Sequence, residues 1–236
     1  MGQHLAIGDI QIDVTHKDIR NVHLTVHPPA GAVRVSVPKG MDLERVRVFA
    51  ISKLDWIKEQ QVKVRSQDRE PIREYIDRES HYLWGKRYLL ELIETSGRPR
   101  IEITGNRMLM KGRPNLPLDR RKAVLDEFYR SEIRTAALPM IDKWAPKLGV
   151  SVERLQVRRM RTRWGSCTPA RRSILLNTEL ARKPLDCLEY IVVHEMSHLI
   201  ERTHSHRFRE ILNKWMPGWE HIRDRLNQLP IAHAEW

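Results

Sequence analysis

The chain has 236 residues, 41% hydrophobic and 31% charged, which is enough apolar material for a core and argues against wholesale disorder. Forty-two Lys and Arg against 30 Asp and Glu leave a formal charge of +12, which excludes an acidic solvating protein and admits phosphate-bearing partners without requiring them. No apolar run approaches the roughly 18 residues of a membrane span, the opening residues lack a signal-peptide core, and two cysteines, Cys167 and Cys187, are too few for a disulfide framework. The expectation is a soluble, cytoplasmic, monomeric protein that makes no use of a membrane.

The first forty residues read as antiparallel strands. Val22, Leu24 and Val26 keep one parity, Val33, Val35 and Val37 form a second run, and Pro28-Pro29-Ala30-Gly31 separates them. From Asp42, a candidate N-cap, the period becomes helical through Leu43, Val46, Phe49, Ala50, Leu54 and Ile57. Residues 63–78 are charged and read as a solvated connection. Strand patterns return at 88–93 and 101–103. Gly112-Arg113-Pro114-Asn115-Leu116-Pro117 is the best boundary candidate, dividing a β-rich region 1–115 from a second domain 116–236. No internal repeat is visible in the residues.

Beyond Pro117 a long helix is expected to bury Val124, Phe128, Ile133, Ala137 and Ile141, ending near Gly149. Strands at 155–160 and 174–176 flank a turn-rich segment around Trp164 and Gly165. Lys183-Pro184 then opens a helix that carries chemistry. Its residues 194–198 read His-Glu-Met-Ser-His. At about 100° per residue, His194 and His198 lie roughly 40° apart on one helix face, one turn above the other, and Glu195 flanks them by about 80°. Two imidazoles so placed can share one Zn²⁺, with the carboxylate positioned to take a proton from a zinc-bound water. Ile191, Val192 and Val193 make the helix an apolar, buried one, where two histidines without a ligand would be costly.

A catalytic site with one open position needs a third ligand. His204 follows His198 by six residues, the spacing of metzincin zinc proteases, except that Glu201 stands where those have a turn-forming glycine. The turn is then expected around Arg202-Thr203. His206 is the alternative, with Glu201 and Glu210 further outside.

Several segments together resemble the YgjP-like family of metal-dependent hydrolases, related to SprT-like and minigluzincin proteins. They are Met160-Arg161-Thr162-Arg163-Trp164-Gly165-Ser166-Cys167, Leu176-Asn177, Val192 through His198, His204 with Phe208, and Trp215-Met216-Pro217. In the N-terminal half, Val35 through Gly40, Lys53 through Ile57 and Leu83 through Tyr88 are similar too. The resemblance implies an α+β protein in which a β-rich N-terminal half precedes a zincin-like domain with an HExxH helix. It also implies His194, His198 and His204 as zinc ligands and Glu195 as catalytic base.

Between Arg154 and Thr178 lie seven arginines and no acidic residue. The plain reading is a solvated basic face. The resemblance instead places this stretch at the cleft as an edge strand, where Arg161, Arg163, Trp164 and Asn177 are candidate substrate-binding residues. Cys167 is read as a buried thiol and not a fourth ligand, because a closed Cys-His₃ site leaves no open position. The leading function is a zinc metallopeptidase acting on peptides or proteins. The alternatives are a nucleoside triphosphate pyrophosphatase on the same metal site, and a DNA-associated protease of SprT type. The last has only basicity in its favour, since no zinc finger or helix-turn-helix motif accompanies it.

Overall fold

Strict alternation in the first strands is what lets one sheet face close over a core. In β2 (Ile10–Lys17), Ile10, Ile12 and Val14 are buried, and in β4 (Ala32–Pro38) Val33, Val35 and Val37 are buried, while their neighbours face outward or lie at the margin. With β1 (Gln3–Ile7) and β3 (His23–His27) they form a sheet of order β1-β2-β4-β3. The expected hairpin is present as β3–β4, but the central pair β2–β4 is parallel and not antiparallel. The computed structural model describes residues 3–27, 30–66, 73–160 and 163–230.

The helical pattern after Asp42 breaks in two. Asp42 caps α1 (Leu43–Ile51) by accepting from the Arg45 N–H at 2.8 Å. A turn at Ser52-Lys53 then separates α1 from α2 (Leu54–Ser66), which runs on into residues expected to be a connection. Val46, Ala50 and Ile57 complete the core under the first sheet. Gln61 donates to the Gly31 carbonyl at 2.8 Å, tying α2 to the β3–β4 loop.

A second sheet follows from β5 (Ser80–Leu83), β6 (Lys86–Glu94), β7 (Arg100–Thr104) and β8 (Arg107–Gly112), in the order β5-β6-β8-β7. Its outer pairs are antiparallel and its central pair β6–β8 is parallel, the same arrangement as in the first sheet. Two-residue turns occupy equivalent places, Gly8-Asp9 and Trp84-Gly85, with positive φ at Gly8 (55°), Trp84 (51°) and Gly85 (77°). The repeat that the residues conceal is one of topology. Any outward-facing residue suits a strand, so the pattern survives without sequence likeness.

The chain divides into two compact units, Met1–Asp68 and Arg69–Trp236. This differs from the division at 115/116 drawn from prolines. Leu90, Met108 and Met110 of the second sheet share one core with Leu125, Tyr129 and Ile133 of α3 (Leu118–Leu148) and Val192 and Val193 of α4 (Leu185–Ser197). The Gly112–Pro117 segment only redirects the chain from β8 into α3. The buried stripe of α3 runs through Leu125, Tyr129, Ile133, Ala137, Ile141, Trp144 and Leu148, so Val124 and Phe128 sit at its margin. Tyr129 fixes that register by donating to the Tyr82 carbonyl at 2.9 Å. Gly149 ends the helix in the left-handed conformation, φ 66°. A three-stranded sheet of order β10-β11-β9 comes next, from β9 (Arg154–Arg158), β10 (Gly165–Thr168) and β11 (Ser173–Asn177). It is followed by α4, α5 (His206–Trp215) and α6 (Trp219–Gln228). The architecture is α+β, and among the described residues no helix is long and apolar enough to cross a membrane.

Candidate metal centre

Helix α4 is apolar on nearly every side, with Cys187, Leu188, Tyr190, Ile191, Val192, Val193 and Met196 buried. His194 and Glu195 therefore project from a fixed rod. The helix ends at His198, its C-cap, where the backbone is still right-handed (φ −68°, ψ −14°). The chain then turns without a glycine. Glu201 takes no positive φ; its carboxylate accepts from the Thr203 N–H at 3.2 Å and the Thr203 hydroxyl at 2.9 Å, holding the bend expected there. Ser205 caps α5 by accepting from the Phe208 N–H.

This route brings His194, His198 and His204 together, with one ligand atom from each within 4.8 Å of the others. The Nε2 atoms of His194 and His204 are 3.0 Å apart. Ligands about 2.0–2.1 Å from a shared tetrahedral zinc would stand roughly 3.4 Å apart, so a small adjustment suffices. The tautomers also suit a metal. His198 Nδ1 lies 3.1 Å from the Glu201 carbonyl, which can only accept, so Nδ1 carries the proton and Nε2 keeps its lone pair. His194 Nδ1 faces the Tyr190 hydroxyl at 3.4 Å. Burial, reinforced by His198 and His204, pushes His194 down to about 3, and burial lowers His198 as well, which favours for these two rings the neutral form that a metal needs.

Phe208, 1% exposed, forms a floor beneath all three rings, with centroid distances of 5.0, 4.6 and 4.9 Å to His194, His198 and His204. Tyr190 is braced in turn by Trp219 of α6, stacked at 6.1 Å. Sequence reasoning assigned neither ring a role. Tyr190 was marked only by its helical spacing, four residues before His194, and Phe208 only as part of the resemblance, four residues after His204. His206 is exposed and pairs with Glu210 at 3.5 Å, away from the cluster.

Glu195 is 5% exposed, and burial pushes its carboxyl up to about 8, against the opposing pull of Arg163. It faces a cleft of about 800 Å³ that is lined also by Arg163, Trp164, Cys167, Tyr190, Arg202 and Arg223. Sequence analysis gave Arg202 a place only in the turn and left Arg223 among many arginines; neither was read as a cleft residue. Trp164 borders the cleft and packs on the core at once. Cys167 is half-buried on the cleft wall and outside the histidine group; burial, then Glu195, raises its thiol to about 11. Arg161 lies outside the described residues.

Asn177, a candidate substrate contact, directs its amide to main chain. It is 4% exposed, and its amide donates to the carbonyls of Met160 (3.0 Å) and Arg163 (2.7 Å). Its oxygen accepts from the N–H groups of Met160 and Glu179, both at 3.2 Å. All four bonds go to main chain, so Asn177 clamps the two ends of the segment that leads into β10.

A search of curated proteins returned no significant match. Among solved structures, the metallopeptidase zymogen abylysin of Pyrococcus abyssi shares 21% identity over 40% of this chain and 98% of its own, with a TM-score of 0.37. The metallopeptidase zymogen jannalysin of Methanocaldococcus jannaschii shares 17% over 39% of this chain and 94% of its own, with a TM-score of 0.35. The profile of the YgjP-like, metallopeptidase domain family matches residues 20–229, a span that takes in the histidine cluster, the cleft and most of the first unit. The chain belongs to the YgjP-like metallopeptidase family.

Proposed function

We propose that the protein is a zinc-dependent peptidase in which His194, His198 and His204 hold the metal and Glu195 is the general base. The observation that carries this reading is the convergence of three imidazoles with a buried carboxyl on the residue adjoining one of them, all facing one cleft. A zinc ion held there supplies Lewis acidity, polarising a carbonyl and easing the ionisation of water. Glu195 takes the proton of the attacking water and returns it to the departing amine. Burial raises the proton affinity of this carboxyl, which suits a group that takes a proton and then hands it on. Strand β10 occupies one end of its sheet, so one side of its backbone is free to receive an extended peptide by strand addition.

One observation favours a second reading. Arg163, Arg202 and Arg223 line the cleft, and such a set suits phosphate oxygens, as in hydrolysis of a nucleoside triphosphate to its monophosphate and pyrophosphate. The zinc-loaded protein is to be tested on fluorescein-labelled casein, a quenched-peptide library and the four ribonucleoside triphosphates, with Glu195→Gln as blank. Glu195-dependent peptide cleavage is expected. Glu195-dependent pyrophosphate release with no peptide cut would replace the first reading by the second.

A further inference from the structure

We infer that Gly165 is a positioning residue for the Glu195 carboxyl, which occupies the space a side chain at 165 would fill; its catalytic consequence rests on the proposed role of Glu195. Gly165 opens β10 and pairs with Leu176 of β11. Its φ lies outside the left-handed region, so nothing in the backbone demands glycine there. The demand is for space. A Cβ built on Gly165 would stand 2.6 Å from Glu195 Oε1, 2.8 Å from its Cγ and 3.0 Å from its Cδ. Those distances lie well inside van der Waals contact, and the atoms met are the middle and the end of one side chain.

Glu195 has little room to yield. It is 5% exposed, springs from the interior of a buried helix, and is held by no hydrogen bond to a described residue. Packing, together with the pull of Arg163, therefore sets where its carboxyl sits, with the bare strand on one side and α4 on the other. A methyl group on the strand pushes the carboxyl along the cleft and leaves the imidazoles alone, since the Gly165 Cβ position meets no histidine atom among its nearest neighbours. A base must reach within about 3 Å of the proton it takes, and a displacement near 1 Å can cost about 10²-fold in rate.

The test is a thermodynamic cycle on the zinc-loaded full chain, read by thermal midpoint and by kinetics on fluorescein-labelled casein. Gly165→Ala is expected to lower the midpoint by on the order of 5 °C beside Glu195, as overpacking does in a domain of this size. It should do the same beside Glu195→Gln, which keeps the shape, and nothing beside Glu195→Ala, which removes all three clashing atoms. Gly165→Ala should also cut kcat about 10²-fold, with KM nearly unchanged and one zinc retained. If Gly165→Ala fails to fold while the double change with Glu195→Ala folds, the steric contact is supported. Equal losses in both backgrounds, or failure of both to fold, would overturn it. An increase in KM at unchanged kcat would assign Gly165 to substrate docking instead and also overturn it. If the parent protein cuts no peptide, the peptidase reading falls, and the thermal cycle still decides where the carboxyl is held.

Discussion

Replacing Asn177 by Ala removes four hydrogen bonds at once, with lengths of 2.7, 3.0, 3.2 and 3.2 Å, and leaves their main-chain partners to find water. A neutral hydrogen bond contributes about 1 kcal/mol net, and a buried group left unsatisfied costs about 1–3 kcal/mol. Arg163 is exposed, so its carbonyl can be rehydrated, whereas the N–H of Glu179 opens a buried 3₁₀ turn (Thr178–Arg182). The expected loss is about 3 kcal/mol, or roughly 6–12 °C in thermal midpoint for a domain of this size. Urea titration should show a lower midpoint at unchanged slope, and trypsin should cut faster at Arg159 and Arg163, whose segment the clamp holds. Asn177→Asp keeps the acceptor but turns an oxygen toward two carbonyls, so it should be no milder. A loss under about 1 kcal/mol with unchanged cleavage would refute the clamp.

The remaining predictions concern the metal, the base, acid stability and the arginines. His194→Ala, His198→Ala and His204→Ala should each lose zinc by elemental analysis, whereas His206→Ala, altering an exposed ring paired with Glu210, should keep it. Glu195→Gln should retain zinc and lose about 10²–10⁴-fold in turnover; full activity with full zinc would remove Glu195 from the mechanism. His81, 0% exposed and 2.7 Å from Glu79, is pushed down to about 4, chiefly by burial and next by Arg73. Between its unfolded value near 6.5 and 4, the unfolded chain binds a proton that the folded one refuses, so stability should fall as pH drops through that window. Urea midpoints at pH 7, 5.5 and 4 should show a weaker decline in His81→Gln, and an identical decline would sink the assignment. Arg163→Ala should lower kcat on a peptide with little change in KM, whereas a salt-sensitive rise in KM on a triphosphate would point to ground-state phosphate binding.

The histidine cluster was legible because its geometry is local. A spacing of four on a helix and six beyond it specifies positions before any tertiary contact exists. The alternation of β2 and β4 was legible for the same reason, since a sheet with one buried face must show period two. What stayed hidden depends on neighbours distant in sequence. Nothing near Gly165 reveals that a carboxylate thirty residues later needs its empty side. Asn177 was noticed as a polar residue near the site, but its bonds run back to residues 160 and 163. The division at 115/116 was drawn from the prolines, and no spacing in the sequence signals that Leu90, Met108 and Leu125 share one core across it. On α3, Ile133, Ala137 and Ile141 are buried as expected, and only the first turns differ by one residue, where Leu125 and Tyr129 are buried and Tyr129 reaches the Tyr82 carbonyl.

All three clustered imidazoles come from one stretch, 194–204, whose ends are joined by the end of α4 and a bend held by Glu201. Closing so short a loop costs little entropy. Strand β10, which completes the cleft, must be brought in from elsewhere in the chain. An order of assembly follows if the trio holds zinc as proposed: during folding it could capture the ion while the strand is still unpaired, and the ion would then stabilise whichever conformers hold the trio. On that reading, zinc content would report on a short segment and not on the finished cleft. A fully metallated preparation can contain molecules whose strand is misplaced and whose base has nothing to act on, so an active fraction should be counted with a probe that touches β10.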